Sequence, residues 1–291
     1  MIWILALIFA SSNAWGDAYR FSEQNIGLRS RRQNVRMEND NLPFIAKQIT
    51  PKSGESPLHV PFVSDRLEID ESLERASGFC SLMNQRRSLR FYSTDSFPVE
   101  LVEKCVQTAG TAPSGAHQQP WHFAIIESKE VKRKIRSLVE REEQINYDQR
   151  MKKTWVADVV PLLKETPLYD DKGAILKPYL EDAPYLVVLF EQVYGYDNLT
   201  GDKIDHYYVR QSVGIAAGLF LAALTNAGLF SLPSTPLNAG DAIRKLLNRP
   251  DNERVNLLLP IGYPAPDATV PYRSEDTVPL RKAMSEIMSK H

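Results

Sequence analysis

Apolar positions follow two periodicities, one helical and one extended, from about residue 98 onwards. Over residues 98–109 the apolar side chains recur at helical spacing, and Gly110 suits the C-terminal stop of this predicted helix. The run at 121–126 is typical of a strand, and Ser128 is a suitable N-cap for a charged helix over about 130–150. The pattern therefore predicts a helix, a strand and a second helix in succession.

The downstream half predicts a sheet covered by helices. Residues 185–190 form a continuous apolar run, as in a strand buried on both faces, and 255–263 predicts a further strand. The longest helix is predicted over 206–229, and its apolar middle contains Gly214 and Gly218. Because this apolar run is too short to span a bilayer, we expect a buried helix, packed in the core or at a dimer interface. Strands interleaved with helices favour an α+β or α/β fold.

The N-terminus differs in composition from the rest of the chain. Residues 1–10 are almost wholly apolar, and the first charged residue is Asp17. We predict that residues 1–16 are a single-pass membrane anchor, or a signal-like segment of the secretory pathway if it is cleaved. Residues 17–60 are polar and mixed in charge, which predicts a flexible linker. The folded domain is therefore expected over 61–291.

Charge and cysteine content narrow the classes of partner. The 291 residues carry a formal net charge of −1, which argues against nucleic acid as a partner. The two cysteines, Cys80 and Cys105, have no spacing typical of zinc ligands, so no metal site is predicted. Cys105 falls on the apolar side of the first predicted helix, where we expect a buried and inert thiol.

Two segments carry candidate binding chemistry. Arg86, Arg87 and Arg90 supply three guanidinium groups within five residues, and guanidinium forks match phosphate oxygens. The small residues of the loop over 110–117 allow backbone N–H groups to approach a ligand closely. Together the two segments predict a pocket for a phosphorylated planar cofactor. An exposed basic patch is the alternative interpretation of the arginines alone.

Five motifs in a fixed order carry a family resemblance. They are the RRSxR cluster at 86–90, TAPSGAHxxPW at 111–121, EQINY at 143–147, STPLN at 234–238 and LPIGYP at 259–264. In this order they resemble the nitroreductase-fold flavoproteins, and among them the iodotyrosine deiodinase family. The resemblance implies an α+β fold with a central sheet covered by helices, and an intertwined homodimer with each active site at the interface. It also implies FMN as the cofactor and an N-terminal membrane anchor.

The same resemblance assigns cofactor-binding residues. Thr235 matches the residue whose hydroxyl lies near flavin N5, where it would favour one-electron steps. Near the C-terminus the spacing differs from the family pattern, so Arg273 is our choice for a phosphate contact and Arg281 the runner-up. The full predicted FMN-binding set is Arg86, Arg87, Ser88, Leu89, Arg90, Ser114, Gly115, Pro233, Ser234, Thr235 and Arg273.

Substrate-binding residues follow in the same way. The backbone N–H of Ala116 matches the donor to a substrate phenol oxygen, so Ala116 and Thr235 are the predicted catalytic positions. Glu143, Tyr147 and Lys177 match a clamp for a zwitterionic amino acid, because a carboxylate can hold the ammonium and an ammonium the carboxylate. Glu143 and Tyr147 are four residues apart and so share one helix face.

Two alternatives remain for this clamp. In an unrelated protein the glutamate and lysine would be a solvated surface pair. Because the connection over 158–176 is longer than the family pattern, Lys164 and Lys172 compete with Lys177.

The implied activity is FMN-dependent reductive dehalogenation of 3-iodo-L-tyrosine and 3,5-diiodo-L-tyrosine to L-tyrosine and iodide. NADPH would supply the electrons to FMN, directly or through a partner reductase. Two other functions remain open at this point. One is a broad-specificity NAD(P)H nitroreductase or quinone reductase, and the other is a membrane-tethered flavoprotein that serves as an accessory subunit.

Overall fold

A four-stranded antiparallel sheet organises the fold. The computed structural model describes residues 62, 64–150, 176–197, 199–271 and 281–291, so the predicted N-terminal segment and linker lie outside the described residues. In spatial order the sheet consists of β1 (Trp121–Ile126), β2 (Tyr185–Gln192), β6 (Glu253–Gly262) and β5 (Phe230–Ser231). A separate hairpin pairs β3 (Tyr194–Tyr196) with β4 (Lys203–Asp205).

Helices cover both faces of this sheet. The described helices are α1 (Ile69–Asn84), α2 (Val99–Gly110), α3 (Lys129–Ile145), α4 (Tyr179–Asp182), α5 (Val209–Asn226), α6 (Gly240–Leu246) and α7 (Met284–Ile287). Side chains of α3, α4 and α6 join one buried cluster, and those of α2 and α5 join the other. The predicted α+β architecture is therefore confirmed.

Strand alternation explains why two cores form. Along β2, Leu186, Val188 and Phe190 belong to the cluster under α3, and the intervening Val187 and Leu189 belong to the cluster under α5. Because successive strand side chains point to opposite faces, a strand that is apolar at every position can bury both of its faces. The continuous apolar run in the sequence is thus the signature of a central strand.

Most predicted elements are confirmed, with shifts of one to three residues at their ends. The helix predicted over 98–109 is α2, and the strands predicted at 121–126, 185–190 and 255–263 are β1, β2 and β6. Ser128 caps α3 as predicted, because its side chain accepts a hydrogen bond from the Val131 N–H. Cys105 is buried on α2, and burial raises the pKa of its thiol, as expected for an inert position.

The prediction that His206 begins the longest helix is wrong. Helix α5 begins at Val209, because Tyr208 before it has left-handed backbone angles (φ 55°) and interrupts the helical path. The His206 ring is held instead by a contact of 2.8 Å between Nδ1 and the carbonyl of Gln192. Sequence periodicity also did not predict α1 or the hairpin of β3 and β4.

Within the single chain, helix α5 is buried on one side only, and the expectation that it packs at a dimer interface stays a prediction. Val213, Phe220 and Leu224 are buried, but Ile215 is 46% exposed and Gly214 is exposed. Within the described part of the chain, no helix is long and apolar enough to cross a membrane.

Helix α1 has no buried residue and presents large apolar side chains, including Ile69, Leu73 and Phe79, to the exterior of the chain. Apolar exposure on this scale marks a surface that binds another macromolecule.

Candidate active site

The arginine cluster lies on an extended segment fixed to the sheet edge. Ser88 forms a parallel bridge with Ser231 of β5, and the Leu89 N–H donates to the Ser231 carbonyl at 3.4 Å. Leu89 is buried, whereas Arg86, Arg87 and Arg90 are half-buried. The cluster is therefore partly enclosed, unlike the solvated basic patch that was the alternative interpretation.

The segment over Pro233–Thr235 lies beside this cluster. Ser234 pairs with Leu258 of β6 through two hydrogen bonds of 2.9 and 2.7 Å. Thr235 is exposed, and the hydroxyl of Ser231 is buried without a hydrogen-bond partner among the described residues. An unsatisfied buried hydroxyl is costly unless a ligand or water completes it. This edge of the sheet therefore fits a polar ligand.

The C-terminal part of the chain returns to the same edge. Arg87 Nη2 donates to the carbonyl of Pro271 at 2.6 Å, so the chain reaches the arginine cluster two residues before Arg273. Arg273 lies outside the described residues, and Arg281 is exposed. The choice between them as a phosphate contact stays open.

The loop over 114–119 has a left-handed backbone at three residues that are not glycine. Ala116, His117 and Gln119 have φ values of 46°, 55° and 49°. Each such conformation costs about 1–2 kcal/mol for an L-residue, and such residues cluster at functional sites. The loop is held by the Ser114 hydroxyl, which accepts from the Gln119 N–H at 2.9 Å. The Ala116 N–H makes no hydrogen bond within the described parts of the chain and is available to a ligand.

Gly115 has a packing role in this loop. A Cβ at Gly115 would lie 3.0 Å from a ring carbon of Tyr208 and 3.1 Å from the Tyr207 carbonyl. Gln118 also bridges the loop to the start of α5, because its side chain donates to the Asp205 carbonyl and accepts from the Tyr207 N–H. The glycine thus allows the loop to dock against the entry to α5.

The predicted cofactor residues fall into two groups at opposite corners of the sheet. Trp121 follows the loop, and in the sheet register it aligns, through β2, with Arg254 of β6. Ser231 of β5 pairs with Ile261 at the other end of β6. Seven residues of β6 separate these two positions, or about 24 Å along the strand, and the three strand spacings between β1 and β5 add about 14 Å across. One chain therefore does not bring both groups around a single flavin ring.

The predicted clamp residues meet as a buried ion pair. Lys177 Nζ lies 3.1 Å from Glu143 Oε1, and the side chains of Lys177 and Glu143 are only 9% and 6% exposed. The solvated surface pair is therefore excluded. Tyr147 lies in the π-helical turn Asn146–Arg150 that follows α3, and its side chain is outside the described residues, as are Lys164 and Lys172.

The surroundings of Lys177 keep its ammonium charged. Burial alone would lower the pKa of Lys177, but the neighbouring Tyr179 hydroxyl and Glu143 carboxylate outweigh it, so the pKa lies above the ordinary lysine value. Since the folded-state pKa is raised, Lys177 stays charged at neutral pH and loses its charge only as the pH rises through that raised pKa. The site is thus a fixed pair of opposite charges at neutral pH.

A ladder of ion pairs fixes the segment that carries Lys177 against α3. The Lys177 N–H donates to Glu140 Oε1 at 2.5 Å, and Arg136 Nε donates to the same carboxylate at 2.8 Å. Glu181 of α4 contacts both Arg136 and Arg133. Sequence reasoning missed Glu140 and Tyr179 as supports of the clamp. The helical spacing of Arg136, Glu140 and Glu143 on α3 is the signal that could have revealed Glu140.

Comparison with known proteins identifies the family. The nitroreductase family model matches residues 83–263. Iodotyrosine deiodinase 1 of Mus musculus is 45% identical over 234 residues, covering 80% of this chain and 76% of that protein. Iodotyrosine deiodinase of Hydra vulgaris is 40% identical over 267 residues, covering 92% of this chain and 90% of that protein.

Solved structures have the same fold. A crystal structure of oxidized iodotyrosine deiodinase bound to FMN and 3-iodo-L-tyrosine matches with a TM-score of 0.54 and 29% identity, covering 70% of this chain and 99% of that chain. A BluB-like flavoprotein from Clostridium difficile 630 matches with a TM-score of 0.52 at 21% identity, covering 73% and 98%, and supports the fold alone. The chain belongs to the nitroreductase family and, within it, to the iodotyrosine deiodinases.

Proposed function

We propose that the protein is an FMN-dependent reductive dehalogenase of 3-iodo-L-tyrosine and 3,5-diiodo-L-tyrosine. The observation that carries the proposal is the buried Glu143–Lys177 ion pair, because two fixed opposite charges are what a zwitterionic amino acid needs. In the net reaction the aryl–iodine bond is replaced by an aryl–hydrogen bond, with two electrons and one proton consumed and iodide released. Bound FMN supplies the electrons, and NADPH reduces it directly or through a partner reductase.

The residues at the β5 edge fit FMN. Arg86, Arg87 and Arg90 offer guanidinium groups for the phosphate, and the unsatisfied Ser231 hydroxyl offers a polar contact in the same place. Pro233–Thr235 is held by β6 next to them, which supports a position for Thr235 along the flavin edge. These residues bind and orient the cofactor, whose own chemistry is the transfer of electrons.

The clamp and the loop orient the substrate. Glu143 would bind the ammonium and Lys177 the carboxylate, so the phenol ring is fixed at its amino-acid end. The Ala116 N–H, which makes no hydrogen bond within the described residues, would donate to the phenolate oxygen. Enclosure of the ion pair excludes water and strengthens both contacts.

The separation of the two cofactor groups supports a homodimer whose active sites each take residues from both protomers. Ala116 would face the arginine cluster of the partner rather than that of its own chain. The exposed apolar side chains on α1 and α5 provide the surface for this association. For residues 1–16 we propose a membrane anchor, or a secretory signal if the segment is cleaved.

Replacing Ile215 with Glu is expected to convert the dimer to monomer and to release FMN. The introduced carboxylate would have to be buried without a partner at the interface, which costs several kcal/mol. Light scattering after size-exclusion chromatography, together with the flavin absorbance of the same peak, checks both effects. Lys245→Glu, at an exposed position on α6, is the control and should leave mass and flavin content unchanged. A flavin-loaded dimer of Ile215→Glu would contradict the proposed interface.

The function itself is tested by titrating the FMN-loaded protein with 3-iodo-L-tyrosine while flavin fluorescence is followed. Saturable quenching at low micromolar concentration or below, with no response to 2-iodophenol, is expected, because the clamp recognises the amino-acid group. Iodide release under dithionite and then under NADPH separates the chemical step from the choice of electron donor. Bound flavin that does not respond to iodotyrosine would reject the proposed substrate and favour a reductase of another specificity.

A further inference from the structure

Tyr179 is a second partner of the clamp lysine, in addition to Glu143. Its hydroxyl is buried on α4 and accepts a hydrogen bond from Lys177 Nζ at 3.2 Å. The same nitrogen lies 5.9 Å from the centre of the Tyr179 ring, so the ammonium sits beyond the hydroxyl end and not over the ring face. The contact is therefore a hydrogen bond to oxygen, which replacement of tyrosine by phenylalanine removes cleanly.

The effect of this hydrogen bond on substrate binding follows from the number of donors on the Lys177 ammonium. A lysine ammonium has three N–H donors, of which one is directed to Glu143 and one to Tyr179. The third donor is left for the carboxylate of an amino acid. Without the Tyr179 hydroxyl, Lys177 would be free to direct more of its donors to Glu143. The Glu143 carboxylate oxygens would then be occupied by lysine and would not be available to the substrate ammonium.

The ring of Tyr179 is itself fixed relative to the cofactor-binding segment. Tyr179, Tyr92 and Leu89 belong to one buried cluster, and the Tyr92 hydroxyl lies 3.0 Å from the Leu89 carbonyl and 3.1 Å from that of Pro260. Burial, and then the nearby Tyr179, raise the pKa of Tyr92. The side chain that holds Lys177 therefore packs in the same buried cluster as Leu89, the residue before Arg90.

We propose that Tyr179 is a positioning residue for substrate recognition: its hydroxyl orients the Lys177 ammonium towards the α-carboxylate of the halotyrosine. The inference rests on the proposed function, and it adds the residue that makes the clamp select amino acids over simple halophenols. Tyr179 acts through Lys177 and takes no part in breaking the carbon–iodine bond.

The test compares three ligands on the FMN-loaded full-length Tyr179→Phe variant by flavin fluorescence. These are 3-iodo-L-tyrosine, 3-iodotyramine, which lacks the carboxylate, and 2-iodophenol. We expect about 10- to 150-fold weaker binding of iodotyrosine, as for a lost hydrogen bond to a charged group, with unchanged binding of iodotyramine. In steady state the KM for iodotyrosine should rise and kcat should change little, because the bound substrate lies at the same flavin.

Tyr185→Phe is the matched control. Tyr185 is also a buried tyrosine, and its hydroxyl donates to the Phe97 carbonyl at 2.9 Å in the other core cluster. This variant should lose thermal stability to a similar degree and bind all three ligands as the unmodified protein does.

Two results would overturn the proposal while leaving the proposed function intact. One is an equal loss of iodotyrosine and iodotyramine affinity in Tyr179→Phe, which would mean a purely structural role. The other is no loss of either affinity. If instead the unmodified protein binds FMN but does not distinguish iodotyrosine from iodophenol, the proposed function fails, and the role of Tyr179 fails with it.

Discussion

Replacing Glu143 with Gln is expected to weaken binding of 3-iodo-L-tyrosine by roughly 30- to 700-fold. The substitution removes the charge that would hold the substrate ammonium and leaves Lys177 buried beside an uncharged amide, and loss of one partner of a buried charge pair costs about 2–4 kcal/mol. Because one of the two groups that raise the pKa of Lys177 is lost, affinity should also begin to fall at a lower alkaline pH than in the unmodified protein. Flavin-fluorescence titrations across pH 6–10 measure both effects.

Glu142 provides a control one residue away on the same helix. Its carboxylate pairs with Arg150 at 3.1 Å, and the Arg150 side chain is largely in solvent. Glu142→Gln removes the same charge from α3, and its effect on affinity should be less than about threefold, as for an exposed pair. Equal losses of iodotyrosine affinity in the two variants would mean that the total charge of α3, and not the buried ion pair, determines binding.

A double-mutant cycle with Lys177→Met tests whether the two clamp residues act as a unit. If they do, adding Lys177→Met to Glu143→Gln should cost much less affinity than Lys177→Met alone, since each single change already disables the pair. Additive losses would contradict a shared role in binding the zwitterion.

Replacing Arg249 with Met is expected to cause the largest loss of stability. Glu253 is fully buried at the start of β6, and Arg249 donates to both of its carboxylate oxygens at 2.8 Å. A buried carboxylate that loses its cation costs about 3–5 kcal/mol, or on the order of 10 °C in the melting temperature of a domain of this size. Thermal unfolding followed by circular dichroism at pH 7 measures the loss.

The pH dependence of this effect has a definite sign. Burial favours the protonated form of Glu253, but hydrogen bonds from Arg249 outweigh it, and the pKa of the carboxyl lies below its ordinary value. The pair therefore stabilises the fold above about pH 4.3 and loses this contribution as pH falls through the lowered pKa. In Arg249→Met the carboxyl keeps its burial, which raises its pKa, and the Gln192 hydrogen bond, but it loses the largest of the groups that lower its pKa. The stability gap between the two proteins should therefore narrow on acidification.

Two further variants make the interpretation specific. Lys134→Met breaks an exposed ion pair with Glu130 and should leave the melting temperature essentially unchanged. Arg249→Met combined with Glu253→Gln should be more stable than Arg249→Met alone, because the uncompensated charge is gone. A double variant less stable than Arg249→Met would show that the carboxylate stabilises the fold without its arginine.

The local sequence predicted the elements whose pattern is set by their own burial. Examples are the apolar stripe of α2, the Ser128 cap and the apolar runs of β1, β2 and β6. Each pattern depends on which side of a single element is buried and which is exposed, and it can be recognised within a short stretch of sequence. The sequence did not predict the hairpin of β3 and β4, because its strands Tyr194–Tyr196 and Lys203–Asp205 are short and largely exposed. Neither strand has a buried face that would require a pattern of apolar residues. The sequence did not predict the left-handed conformation of Tyr208, which packs against Gly115, a residue far away in the chain.

The candidate site divides in the same way. The order of the five motifs and their resemblance to the iodotyrosine deiodinases were sufficient to indicate an FMN flavoprotein, and the role of Glu143 and Lys177 in binding a zwitterion stays a prediction. Only the tertiary structure decided that Glu143 and Lys177 are buried together, that Tyr179 supports them, and that Ala116 lies at the corner of the sheet opposite Ser88. These facts depend on contacts between residues far apart in the chain, such as Ser88 with Ser231 and Lys132 with the Ala183 carbonyl. Local periodicity determines which face of a helix or strand is apolar. The register of the sheet determines which segments come into contact, and the residues of the candidate site come from such contacting segments.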